Sequence, residues 1–144
     1  MNARLTLVLA AIATGGAVLC AAPAAAQTRV VDRLFDKADG VYGEHGYARL
    51  GWERQSILRN GAEQIFTITL TGGAEYSLIG VCDADCENLD IYVTDDRGVE
   101  VTRDDQPDDY PVVYIKHGGT MTIRVVMKGC ADSPCEYGIK AYKM

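Results

Sequence analysis

From Gln55 onward the chain is written largely in period two, and this most constrains its fold. Ile65-Phe66-Thr67-Ile68-Thr69-Leu70 and Leu89-Asp90-Ile91-Tyr92-Val93 alternate apolar and polar residues, the pattern of half-buried strands. Tyr76 to Val81, a short run at Val99 and Val101, Val112 to Ile115, Met121 to Met127 and Tyr137 to Tyr142 add further strands. Gly72-Gly73, Asp95-Asp96-Arg97-Gly98, the stretch from Pro107 to Pro111 and Gly118-Gly119 punctuate them as turns and loops. Short strands at this spacing predict a mainly β protein, an antiparallel β-sandwich or barrel.

The region from Gln27 to Gly61 reads differently. Val30, Val31, Leu34, Phe35 and Ala38 recur at helical spacing with charged residues between them. A short amphipathic helix ending near Gly40 is expected, because Gly40, Gly43, Gly46 and Gly51 interrupt regular structure. Residues 27–60 then form an N-terminal arm, a short helix plus an irregular segment. The arm either packs on the sandwich or docks a partner.

Ahead of the arm stands Arg4, then an uncharged apolar run from Leu5 to Ala22 and the exit Pro23-Ala24-Ala25-Ala26. A charged start and a small-residue exit predict a secretory signal peptide over residues 1–26, and the glycines and alanines of the run disfavour a permanent anchor. Leu19 before Cys20 fits poorly with lipid attachment, so Cys20 is expected to leave with the signal. The mature chain would have 118 residues, one domain, in the periplasm or secreted, without stable membrane insertion. Its 20 acids outweigh 13 basic residues, which argues against a nucleic-acid partner, since phosphate binding needs clustered Lys and Arg.

Export gives the four remaining cysteines their meaning. Cys82, Cys86, Cys130 and Cys135 are an even set for an oxidising compartment. Three pairings are formally open. The turn-like segments inside each close pair favour Cys82–Cys86 and Cys130–Cys135, each worth about 2 kcal/mol by loop entropy. Zinc and redox sites both prefer Cys-x-x-Cys, which is absent here.

From about Gly61 to Met144 the chain resembles the pre-peptidase C-terminal domain. The resemblance lies in Tyr76 to Val81 leading into Leu89-Asp90-Ile91-Tyr92-Val93-Thr94-Asp95, in the short strand after Gly98, and in Gly119-Thr120-Met121-Thr122-Ile123-Arg124-Val125. It implies a jelly-roll-like sandwich over residues 61–144 that is non-catalytic, with calcium or polymer binding known among related domains. Here the sandwich makes up nearly the whole mature chain, which speaks against service to an attached enzyme.

Eleven acids lie between Asp83 and Asp109, opposed only by Arg97 and Arg103. Such carboxylates suit Ca2+, a hard cation that takes oxygen ligands, with Asp83, Asp85 and Asp90 as first candidates and Asp104 and Asp105 next. The competing reading is that they are solvated turn residues. The segment lacks the glycine and terminal Glu of an EF-hand loop. No nucleophile or zinc-protease motif accompanies His45 and His117, so a small exported hydrolase is the weakest reading. Trp52, Tyr42, Tyr47, Tyr110 and Tyr114 are candidates for a face that receives a glycan or protein partner. Tyrosines on the strands, such as Tyr76, Tyr92, Tyr114 and Tyr137, more readily fill the core or line a sheet. The expected function is that of a non-catalytic binding module, with partner docking through the arm as the alternative.

Overall fold

A computed structural model describes residues 29–144; the expected signal peptide, its cleavage site and Cys20 lie outside the described residues. The described chain runs α1 (Val30–Glu44), β1 (Ala48–Leu58), β2 (Glu63–Leu70), β3 (Tyr76–Cys82), β4 (Cys86–Thr94), β5 (Glu100–Asp104), β6 (Val112–Ile115), β7 (Gly119–Cys130) and β8 (Cys135–Lys143). The strands form two four-stranded sheets, β1-β8-β3-β6 and β2-β7-β4-β5. All pairings are antiparallel. The architecture is the expected β-sandwich, with jelly-roll strand order.

This order is that of one long hairpin rolled up. β4 pairs β5, β3 pairs β6, β2 pairs β7 and β1 pairs β8, each pair outside the last. The tip of the hairpin is the turn at Asp95. There Asp95 Oδ1 accepts the backbone N–H groups of Arg97 (2.9 Å) and Val99 (2.8 Å), and Gly98 sits at φ 77°. Only glycine adopts that φ without strain, so the residues that mark the turn in the sequence also build it.

Between the sheets lie the inward residues of alternating strands, among them Leu89, Ile91 and Val93 of β4 and Ile123, Val125 and Met127 of β7. β3 departs from alternation because every one of its residues is buried. It lies between β8 and β6, with the core on one face and α1 on the other. A strand covered on both faces has no solvent side on which to place polar residues.

The helix is longer than expected, and the arm is not irregular. α1 continues through Gly40 and Gly43 to Glu44, and residues 48–58 form the edge strand β1. Two glycines cost a helix about 2 kcal/mol in propensity. Burial of Val31, Phe35 and Ala38 against Ile79, Val81 and Tyr142 outweighs that cost, since each large side chain gains about 1.5–3 kcal/mol. Gly51 is accommodated by a bulge: at φ 76° it sits where the β1–β8 register shifts between Arg49 and Glu53.

Gly138 sets the docking of α1 on β8. A Cβ there would lie 2.6 Å from Phe35 Cζ and 2.7 Å from Val31 Cγ1. Beside this contact, Asp39 accepts hydrogen bonds from Lys140 Nζ (2.9 Å) and the Tyr142 hydroxyl (2.8 Å). Burial pushes the Asp39 carboxyl up, but these hydrogen bonds and the Lys140 and Arg49 charges prevail and hold it below its ordinary value.

Cys82 is bonded to Cys86 and Cys130 to Cys135. Each bridge spans a short loop that crosses between the sheets, β3 to β4 and β7 to β8. Cys86 and Cys130 are register partners, so both clips sit at one end of the sandwich.

Candidate functional site

Half-buried and exposed tyrosines gather where the C-terminal end of α1 meets the β6 edge. Val41, Tyr42, His45 and Tyr47 form one wall of a groove, and Tyr110, Tyr114 and Met144 the other, around about 460 Å³. That volume is in the range of small-ligand sites. Val41, Tyr110, Tyr114 and Met144 are each 41–58 % exposed, so the apolar surface here is open to solvent.

Each ring is placed by a local cause. Tyr42 lies one turn beyond Ala38 on the apolar stripe of α1. Its ring stacks on Tyr142 at 4.3 Å, and its hydroxyl accepts from Ser77 Oγ at 3.0 Å. Tyr47 meets Tyr42 edge-on at 5.4 Å and donates its hydroxyl to Glu75 Oε1 at 2.8 Å. Tyr114 follows from strand alternation: Val113 and Ile115 face the core, so Tyr114 faces outward. Tyr110 ends the β5–β6 loop, where its N–H bonds to Asp108 Oδ1 at 3.0 Å. His45 follows the last helical residue, with Nδ1 2.7 Å from the Val41 carbonyl.

Three phenols of the groove, those of Tyr42, Tyr47 and Tyr110, hold their protons above the ordinary tyrosine range. Burial, the bond to Glu75 and the Glu75 charge push Tyr47 up to about 12. Burial and the neighbouring Tyr42 and Tyr114 push Tyr110 up to about 12. Tyr42 is also raised, by burial first. At neutral pH these groups are uncharged rings with hydroxyl edges, suited to stacking and hydrogen bonding.

Four of the five aromatics expected to form a binding face therefore come together, while Trp52 does not. It lies on β1, edge-on to Phe66 of β2 at 6.4 Å, with Arg54 over its ring. Tyr76 and Tyr137 fill the core, and Tyr92 lies on the outer face of the second sheet under Arg124. Val41, His45 and Met144 complete the groove without a sequence signal.

The five candidate metal ligands lie in the first disulfide loop, on β4 and at the end of β5. Asp83 lies in the first disulfide loop, where its Oδ2 accepts the Glu136 N–H at 2.6 Å. Asp85, in the same loop, is exposed. Asp90 is 1 % exposed on β4, and its Oδ2 accepts from the Tyr92 hydroxyl at 2.9 Å. Asp104 bonds the N–H groups of Gln106 and Val112. Asp105 pairs with Arg103 at 3.3 Å. Among the described residues, no three His, Cys, Asp or Glu side chains gather as a metal group would. Asp95, Asp104 and Asp108 behave as turn residues, spending their oxygens on backbone N–H groups. Three buried oxygens, Oδ1 of Asp83, Asn88 and Asp90, have no hydrogen-bond partner.

No helix among the described residues is long and apolar enough to cross a membrane. No protein-family model matches the chain, and no curated protein matches it either.

Proposed function

We propose that the protein is an exported, non-catalytic binding module that seats part of a glycan or protein partner in the tyrosine groove. The observation that carries this reading is the convergence of Tyr42, Tyr47, Tyr110 and Tyr114 from the helix, the segment after it, a loop and an edge strand. The arm and the sandwich each supply one wall. Ligand binding by the sandwich and partner docking through the arm thus describe one surface. The formed disulfides and the signal-like leader support a periplasmic or secreted location. The resemblance to pre-peptidase C-terminal domains supports binding without turnover.

The test is to titrate soluble oligosaccharides and short peptides into the oxidised protein while following tyrosine ring signals by NMR. Shifts confined to the four groove tyrosines support the reading. Binding that leaves these rings unmoved, or persists unchanged after Tyr110→Ala and Tyr114→Ala, refutes it.

A second reading, Ca2+ held at the acidic end, has the three partnerless oxygens of Asp83, Asn88 and Asp90 in its favour, because hard cations take such ligands. Calcium at a hundredfold its dissociation constant then stabilises the fold by about 2.7 kcal/mol. Melting in EDTA and in calcium checks this. Identical curves, or a shift that survives Asp90→Asn, exclude a site at Asp90.

A further inference from the structure

We infer that the group seated in the tyrosine groove is an organic cation, a quaternary or alkylated ammonium held against the faces of the tyrosine rings. This deepens the binding reading above and rests on it.

Ring faces carry negative electrostatic potential, so aromatic surfaces attract cations, most strongly where water is displaced. Elsewhere the chain supplies such cations itself. Arg54 lies 4.9 Å from the Trp52 centroid, Arg124 lies 4.0 Å from that of Tyr92, and Lys140 lies 5.1 Å from that of Phe35. The contacts of Arg54, Arg124 and Lys140 fall on Trp52, Tyr92, Phe35 and Tyr142 and not on Tyr42, Tyr47, Tyr110 or Tyr114. Tyr110 and Tyr114, 41 % and 51 % exposed, are the rings most open to a ligand.

Charge around the groove points the same way. Asp, Glu, Lys and Arg are all absent from its lining. Tyr110 directly follows Asp108 and Asp109, which close the stretch of eleven acids and two arginines. Glu75 stands behind Tyr47 and accepts its hydroxyl. Lys116, the cation near that carboxylate, is already paired with it at 3.1 Å. An anionic ligand would meet this field unfavourably, and a neutral one would gain nothing from it. An ammonium carrying methyl groups gains from the field and the ring faces, and its apolar surface contacts Val41 and Met144.

The test compares choline with 3,3-dimethylbutan-1-ol, its uncharged carbon analogue, by NMR titration of the oxidised protein at constant ionic strength. The inference expects saturable shifts of the groove tyrosines, with choline binding at least ~10-fold more tightly than the alcohol. Tyr110→Phe and Tyr114→Phe keep the ring faces and hold the affinity. Tyr110→Leu and Tyr114→Leu keep bulk without the faces and weaken choline at least ~10-fold. Both positions are solvent-exposed, and unchanged melting curves confirm that the variants fold. Equal binding of choline and the alcohol overturns the inference and leaves an apolar groove. Leucine variants that bind choline like the parent also overturn it. Shifts with neutral oligosaccharides but none with choline overturn the cation and retain the binding reading. No groove response to any of these compounds overturns both.

Discussion

Replacing Gly138 with alanine tests how the helix is held to the sandwich. The new Cβ would fall 2.6 and 2.8 Å from two ring atoms of Phe35 and 2.7 Å from Val31 Cγ1. All three distances are too short for carbon contacts, so α1 must lift or Phe35 must leave its position. Overpacking of this kind costs about 1–3 kcal/mol. Alanine recovers about 0.4–1 kcal/mol by restricting the unfolded chain, since Gly138 has no positive φ to lose. The net expectation is a loss of about 1–2 kcal/mol, read as a lower urea midpoint with an unchanged slope. Phe35→Leu removes the ring atoms responsible, so the double variant is expected to be less damaged than the two single losses combined, by about 1 kcal/mol. A cycle that closes additively would show that α1 is not seated on Gly138, and the docking argument would fall. Because α1 carries Val41 and Tyr42, Gly138→Ala is also expected to weaken whatever the groove binds.

Three further outcomes follow from the same geometry. Replacing Cys82 and Cys86 together by serine is expected to cost about 2 kcal/mol, and the Cys130–Cys135 pair about as much, measured by denaturation without reductant; no loss for either pair would show that the clips do not restrain the unfolded chain. Asp39 has a lowered folded pKa, so its stabilisation is present above the unfolded value of 3.8 and is lost as pH falls through the lower folded value. Asp39→Asn should therefore flatten the stability profile below about pH 4, and an unchanged acid limb would contradict this. Tyr47 and Tyr110 have raised folded values of about 12, so their contribution is complete below 10 and disappears as pH rises through 12; phenolate absorbance that appears fully by pH 11 in the folded protein would refute the desolvation assigned to these hydroxyls.

Whatever depends on neighbours in the chain was readable from the residues. Period two located β2, β4 and β7, because each half-buried strand must alternate, while apolar runs bounded by turn residues located other strands, the fully buried β3 among them. Asp95 and Gly98 marked the hairpin tip, because the turn is made by their own side chain and φ. The two cysteine pairs could be matched because short loops close at low entropic cost. What depends on distant contacts was not readable. Gly40, Gly43 and Gly51 read as breaks, yet the helix and β1 persist because burial against β3 and β8 outweighs their local cost. Trp52 and the groove tyrosines look alike in the sequence, but β1 carries Trp52 to Phe66 while the others meet at the β6 edge. Local pattern determined the elements and turns of this protein through steric and solvation rules that act over a few residues. Tertiary structure alone decided which side chains share the groove, because packing free energy joins residues that the chain keeps far apart.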